Sequence, residues 1–147
     1  AVEIPFAAGD YAVVFAGNDQ AVMPAVILGA RSNENLFVKP DGTWDGRYIP
    51  AFARRYPFVF SSNDDGSTFT LCIDEAFAGC NQAGKGAALF EADGKASPYV
   101  QNVLNFLQEY QTQFLRTQAF CKNVLEAGLL EPMQAQITTP GGEKMSL

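Results

Sequence analysis

The hydrophobic positions along this chain change their spacing about two thirds of the way from its start. Before residue 97, apolar residues fall in short runs separated by turn-forming residues, which is typical of strands joined by hairpins. After it, they recur every three or four residues with polar Gln and Asn between them, which is typical of an amphipathic helix. The pattern predicts an α+β fold. In this fold a long C-terminal helix, or two helices, packs on an antiparallel, hairpin-built sheet whose curvature the pattern leaves open.

Two hairpins are predicted in the first part of the chain. Their strands are the apolar runs at residues 11–16, 22–28, 58–61 and 68–74. The residues between each pair are rich in Gly, Asn and Asp, which favour tight turns. Residues 36–38 and 87–90 are interpreted as two further short strands. The Gly-rich stretch at 76–88, just before the second of these strands, is interpreted as a loop.

Proline and glycine positions predict where the helices begin and end. Residues 48–56 are interpreted as a short helix in preference to a strand. Pro50 suits the first position of this helix, and Pro57 prevents its continuation past residue 56. Ser97 is the predicted N-cap of the long helix, and Gly128 is its predicted stop. A single helix of this length is unusual, so we expect a break near residues 113–117.

Composition limits the classes of function. The net charge is −6 and the isoelectric point is near 4.5, which argues against nucleic acid as the main partner. The apolar runs are too short and too interrupted to span a bilayer, so no transmembrane segment is predicted. The chain has no His, which removes His-dependent catalysis and His-ligated metals; we therefore predict no metal site and no cofactor.

The chain has three cysteines, Cys72, Cys80 and Cys121. Their number and spacing match neither a disulfide framework nor a zinc site. We interpret them as reduced, buried thiols. A Cys72–Cys80 or Cys80–Cys121 bridge is the alternative if the protein is exported.

The candidate binding residues lie in the stretch 33–60, which holds the only Trp of the chain and is rich in Tyr, Phe, Pro and Arg. They are Trp44, Tyr48, Arg54, Arg55 and Tyr56. The planar guanidinium of Arg suits binding of a carboxylate or a phosphate, and together with the aromatic rings it would form a surface that recognises a peptide, a protein or a glycan. The alternative is structural: the aromatic residues pack in the core, and the Arg pair forms salt bridges with some of the 16 acidic residues.

Several blocks of the chain resemble one known bacterial family. They are residues 24–29 (PAVILG), 35–38 (NLFV), 41–50 (DGTWDGRYIP), 54–58 (RRYPF), 71–75 (LCIDE) and 128–132 (GLLEP). In this order they resemble the SapC family over about residues 11–135, and the W-D-G-R-Y-I-P block with the following R-R-Y-P-F is the most specific part.

The resemblance carries limited functional information. The family takes its name from a protein associated with a bacterial surface layer, which implies a link to such a layer or to its export. No molecular activity is established for most members, so no catalytic residue can be carried over. Members are longer, which implies one SapC-like domain over residues 1–133, truncated at both ends, with a loosely ordered tail at 134–147. No signal peptide is recognised, and the location, cytoplasmic or at the cell surface of a bacterium, stays open.

Two functional hypotheses follow. The first is a non-catalytic binding or assembly module with a protein or peptide partner, a homo-oligomer being an open alternative. The second is an enzyme, or an accessory subunit of one, that acts on a peptide or small molecule without His or metal chemistry. Arg55 would then hold an anion and Asp45 would act as the base. Tyr48 or Tyr56 would donate the proton.

Overall fold

A computed structural model describes residues 2–64, 66–134, 136–138, 142 and 144–146. Helices and strands are both present, so the predicted α+β class is confirmed. In chain order the elements are α1 (Ile4–Ala7), β1 (Val13–Gly17), β2 (Val22–Val26), α2 (Ala51–Arg54), β3 (Phe58–Ser62), β4 (Phe69–Ile73), α3 (Pro98–Glu126), β5 (Gln136–Thr138) and β6 (Lys144–Ser146).

The chain divides into two compact units. The first unit comprises Ala1–Pro50 with Phe114–Leu147, and the second comprises Ala51–Gln113. Tyr11 and Cys121 are among the buried residues of the first unit, and Phe58, Val100 and Leu107 are among those of the second.

Both predicted hairpins are confirmed. Strand β1 pairs antiparallel with β2, and β3 pairs antiparallel with β4. An asparagine side chain stabilises each connection. The Asn18 amide oxygen accepts the backbone N–H of Ala21 at 3.1 Å, and the Asn63 amide oxygen accepts that of Thr68 at 2.9 Å. The predicted turn around Asn63 also includes Asp65, which lies outside the described residues.

The strands of the described residues form separate two-stranded sheets, not the single sheet that we expected. The predicted strands at 36–38 and 87–90 are reduced to isolated bridges, Val38 with Trp44 and Phe90 with Ala96. Each bridge closes a tight turn in which the flanking backbone groups bond to each other, Lys39 to Thr43 and Glu91 to Lys95. Those groups are therefore unavailable to a further strand, and the sheets are not joined.

Helices α2 and α3 are both present as predicted, but their lengths differ from the predicted ones. Helix α2 has a single turn, so the predicted helix over 48–56 is confirmed in place but is shorter. Helix α3 runs unbroken for 29 residues. The break expected near residues 113–117 is wrong, because no Gly or internal Pro interrupts the backbone hydrogen bonds. The boundary between the two compact units nevertheless falls at this point of α3, after Gln113.

Side-chain and backbone caps define both ends of α3. The Ser97 hydroxyl accepts the backbone N–H of Val100 at 3.3 Å and donates to the carbonyl of Ala88 at 2.6 Å. Gly128 has a φ of 63°, the left-handed conformation that ends a helix at low cost when the residue is Gly. The predicted N-cap and stop are therefore confirmed. Within the second unit, β3 packs against the first turn of α3 through Phe58 and Tyr99, whose ring centroids are 6.0 Å apart.

The described part of the tail forms a short hairpin of β5 and β6. Residues 135, 139–141, 143 and 147 of the predicted loosely ordered tail lie outside the described residues. Within the described ranges, no helix combines the length and the apolarity that a membrane span requires.

Candidate functional site

Trp44 and Tyr48 lie in the first unit, where Tyr11 brings them together. The Trp44 indole nitrogen donates a hydrogen bond to the Tyr11 hydroxyl at 2.7 Å, and that hydroxyl donates to the backbone carbonyl of Tyr48. Tyr11 is only 5% exposed, and its ring packs edge-on against Phe37 at 4.6 Å. The polar atoms of these aromatic side chains are therefore engaged inside the unit, which favours the packing interpretation of Trp44.

Gly46 is the residue that permits this arrangement. A Cβ atom at this position would lie 2.7 Å from the Tyr11 hydroxyl oxygen and 2.9 Å from the Trp44 indole nitrogen. Both distances are shorter than the contacts that a carbon atom makes to these groups. The W-D-G sequence therefore has a steric role, since glycine lets the backbone approach the buried hydrogen bond closely.

Asp10 ties the segment after Gly46 to the start of the chain. Its carboxylate accepts the backbone N–H of Arg47 at 2.7 Å, that of Tyr48 at 3.0 Å and the Arg47 Nε at 2.8 Å. The Arg47 side chain is the main cause that holds the pKa of Asp10 below its usual value. The Tyr48 hydroxyl donates to the carboxylate of Glu3. Tyr48 is thus bound through both its backbone and its side chain.

Sequence reasoning missed Glu3, Asp10 and Tyr11 as partners of the 44–48 segment. They lie 33 to 45 residues before their partners, and nothing in their spacing marks them. The only local signal is the Gly in W-D-G, whose close approach to a second segment could have been suspected.

Arg54, Arg55 and Tyr56 lie in the second unit, where aromatic rings face both guanidinium groups. The Cζ atom of Arg54 lies 5.3 Å from the centroid of the Phe106 ring. That of Arg55 lies 4.3 Å from the Phe52 ring and 5.4 Å from the Tyr110 ring. Because Phe106 and Tyr110 are one turn apart on α3, consecutive arginines meet consecutive turns of the helix.

Among the described residues, Arg55 does not form the salt bridge that the structural alternative predicts for it. It forms no ion pair with any acidic residue in the part of the chain that the structure describes, although acidic residues outnumber basic ones by 16 to 10. Its contacts are with ring faces. The Phe52 ring beside it is 65% exposed, so this half-buried guanidinium borders solvent-accessible apolar surface.

Tyr56 packs against the loop that follows β4. Its ring meets the Phe77 ring edge-on at 5.4 Å, and its hydroxyl donates to the Asp74 carboxylate at 3.2 Å. Burial, followed by the interaction with Asp74, raises the pKa of Tyr56. A raised pKa makes a tyrosine a weaker acid, so this environment does not favour the role of proton donor.

The other residues of the enzyme hypothesis also have local partners. The Asp45 carboxylate pairs with Lys39 at 2.9 Å, and both side chains are largely exposed. The Tyr48 hydroxyl is bound to Glu3. Among the described residues, no group of at least three Cys, Asp or Glu side chains is placed to hold a metal ion.

The cysteines are free thiols, and neither alternative disulfide is formed. The expectation of buried thiols holds for Cys121, which is 1% exposed and whose pKa is raised by burial. Cys72 is half-buried, and Cys80 is exposed on the loop after β4. The loop around Cys80 contains local hydrogen bonds, which the Asn81 side-chain amide donates to the carbonyl groups of Gly79 and Lys85.

Comparison with known proteins identifies a family and nothing finer. No curated protein and no solved structure matches the chain. The model of the SapC family matches residues 1–147, which is the whole chain. The tryptophan block that suggested this family in the sequence is the segment held by Asp10, Tyr11 and Gly46. The chain therefore belongs to the SapC family.

Proposed function

We propose that this chain is a non-catalytic binding or assembly module for a protein or peptide that presents a carboxylate beside apolar side chains. The site is the Arg55 cluster, defined here as Phe52, Arg55 and Tyr110, with Tyr56 next to it in the chain. The observation that carries the proposal is the half-buried Arg55 guanidinium, which lies over two aromatic rings and has no ion-pair partner among the described residues.

The geometry of the guanidinium supports carboxylate binding. The Phe52 and Tyr110 rings contact the cation but neutralise none of its charge, so the N–H donors in the plane of the guanidinium meet no acidic side chain among the described residues. These donors suit a carboxylate, which can accept two parallel hydrogen bonds from one arginine. The contacts with the rings also restrict the side chain before binding, so less conformational entropy is lost when a ligand arrives.

Net charge and exposed rings add selectivity. An acidic protein repels most anionic ligands at long range. The Arg55 cluster should therefore bind only those anionic ligands that also make close contacts with it. Phe52 and Tyr56 are 65% and 55% exposed. They provide apolar contact area beside the charge, and Arg and Tyr are residue types that often dominate binding energy at protein interfaces.

The family supports a cellular setting for this module. The resemblance described above implies a bacterial surface layer or its export, and an assembly role would suit that setting. The Trp44 and Tyr48 side chains are not part of the proposed site, because their contacts within the first unit account for them.

A small peptide panel tests the proposal. The probes are blocked pentapeptides with the sequence Leu-Ser-Glu-Ser-Leu and its Gln counterpart, titrated into the chain by calorimetry. A charge-assisted contact to one carboxylate should make the Glu peptide bind about ten- to a hundredfold more tightly than the Gln peptide. Arg55→Ala should abolish this preference.

Arg116→Ala is the matched control, because Arg116 is an exposed arginine on α3 outside the cluster. Its variant should bind both peptides as the unmodified chain does. Thermal melting of each variant separates loss of binding from loss of folding. Equal binding of the Glu and Gln peptides, or no binding of either, would refute the proposal.

A further inference from the structure

The segment that follows α3 has an unusual combination of exposed side chains. Leu129 is 72% exposed and Met133 is 93% exposed. Glu131, between them, is exposed and has no ion pair within the described ranges. Two large, exposed apolar side chains thus flank one exposed carboxylate. We call residues 129–133 (LLEPM) the exit segment.

The exit segment is neither helix nor strand, and its sequence favours an extended backbone. Pro132 restricts the preceding Glu131 to the extended region. Leu129, Glu131 and Met133 occupy alternate positions of this segment and all three are exposed; we call these three residues the stripe. At about 3.3 Å per residue, each apolar side chain begins about 7 Å from the acidic one.

The Arg55 cluster has the complementary order of chemical groups. Its cation lies next to the Phe52 ring and next to the Tyr110 ring, at 4.3 Å and 5.4 Å from their centroids. A carboxylate held by Arg55 would therefore have an aromatic ring within reach of both neighbouring side chains of the stripe. The exit segment thus offers a carboxylate flanked by apolar side chains, and the Arg55 cluster offers a cation beside two aromatic rings, so the two surfaces are complementary in charge and in apolar character.

We propose that the exit segment of one molecule binds the Arg55 cluster of a second copy of the same chain. Glu131 pairs with Arg55 of the second molecule, and Leu129 and Met133 cover its aromatic rings. This inference rests on the proposed function, since it names the partner of the same site.

The contact is head-to-tail, because the two surfaces on one chain are different. Each molecule can therefore offer its exit segment to one neighbour and its Arg55 cluster to another. Repetition of such a contact builds rings or open filaments in place of a closed two-fold dimer. A five-residue segment buries less surface than a stable dimer requires, so assembly should depend strongly on protein concentration.

Charge reversal tests the pairing directly. The variants are Arg55→Glu and Glu131→Arg, and sedimentation velocity over a concentration series measures self-association. Each variant alone places like charges at the contact, so its self-association should weaken at least about tenfold relative to the unmodified chain.

An equimolar mixture of the two variants should recover the association. Position 55 of the first variant and position 131 of the second then carry opposite charges, as do the two unaltered positions. Arg116→Glu and Glu91→Arg are matched controls at exposed positions outside both surfaces, and they should associate as the unmodified chain does. Because Glu131 lies on an exposed segment, its variant remains informative if Arg55→Glu destabilises the fold.

Three results would overturn the inference. They are an unmodified chain that stays monomeric up to its solubility limit, variants that associate normally, and a mixture that remains as dissociated as its components. If the chain is monomeric but the Leu-Ser-Glu-Ser-Leu peptide binds at Arg55, the cluster binds carboxylates and only the partner is wrong. If the peptide also fails to bind, the proposed function fails with it.

Discussion

Replacing Gly46 by alanine should destabilise the first unit by about 2–4 kcal/mol. The new Cβ would lie 2.7 Å from the Tyr11 hydroxyl oxygen and 2.9 Å from the Trp44 indole nitrogen. Neither atom is the end of a flexible side chain. The hydroxyl is on a rigid ring that is 5% exposed, so it can move only if the packing around it changes.

The magnitude has two contributions. Forcing an extra carbon into a packed site costs about 1–3 kcal/mol. Displacement of the Tyr11 hydroxyl also breaks the hydrogen bond from Trp44 and weakens the one to the Tyr48 carbonyl. A buried polar group left without a partner costs about 1–3 kcal/mol. Partial relaxation keeps the total below the sum of the upper limits.

Urea denaturation, followed by the fluorescence of the single Trp, measures the effect at the affected site. A double-mutant cycle with Tyr11→Phe supplies the internal control. Without the hydroxyl, the closest clash is absent, so Gly46→Ala should cost about 1 kcal/mol less in the Tyr11→Phe background. A destabilisation below about 0.5 kcal/mol, or strictly additive effects in the cycle, would refute the steric role of Gly46.

Two further predictions concern a cap and a carboxylate. Ser97→Ala removes a hydroxyl that caps α3 and donates a hydrogen bond to the Ala88 carbonyl at 2.6 Å. Urea denaturation should therefore show a free energy of unfolding that is lower by about 1–2 kcal/mol. An equal effect of Ser32→Ala, at an exposed position, would contradict this prediction. The pKa of Asp10 is lowered from its ordinary value of 3.8, so its contribution to stability is present above that pH and is lost as the pH falls through the lowered value. Asp10→Asn should therefore reduce the loss of unfolding free energy that accompanies a fall to acidic pH. An unchanged pH dependence would show that the Asp10–Arg47 contact contributes no stability.

Local chemistry explains the parts of the fold that were predicted correctly. The turns at Asn18 and Asn63 are stabilised by side-chain contacts to residues three to five positions away. The cap at Ser97 and the stop at Gly128 likewise act on their immediate neighbours. Such interactions depend on residues that are adjacent in the sequence, and for that reason the pattern of residue types predicts them.

The incorrect predictions concern features that the types of neighbouring residues do not determine. Residues 36–38 and 87–90 have the composition of strands, but strand formation needs a partner with unpaired backbone groups, and the tight turns beside them use those groups. The expected break in α3 rested on the usual length of helices, whereas an individual helix ends where a residue or its packing interrupts it.

In the candidate site, too, residue types predicted part of the result and contacts between distant residues decided the rest. Residue types within 33–60 indicated aromatic and arginine recognition, but they could not separate Trp44 and Tyr48, which are held by Tyr11 and Glu3, from Arg55. Arg55 became the centre of the proposed site because two rings lie near its guanidinium, and one of them belongs to Tyr110, which is far along the chain.

The sequence by itself determined the family, the α+β class, both hairpins and the two ends of the long helix. Only the tertiary structure decided that the described strands remain separate pairs, that Gly46 accommodates a partly buried hydrogen bond, and that Arg55 lies over aromatic rings without an ion-pair partner among the described residues. The physical reason is the range of the interactions. Turn and cap preferences act between near neighbours, whereas ring stacking, steric fit and charge pairing depend on which distant residues the folded chain brings into contact.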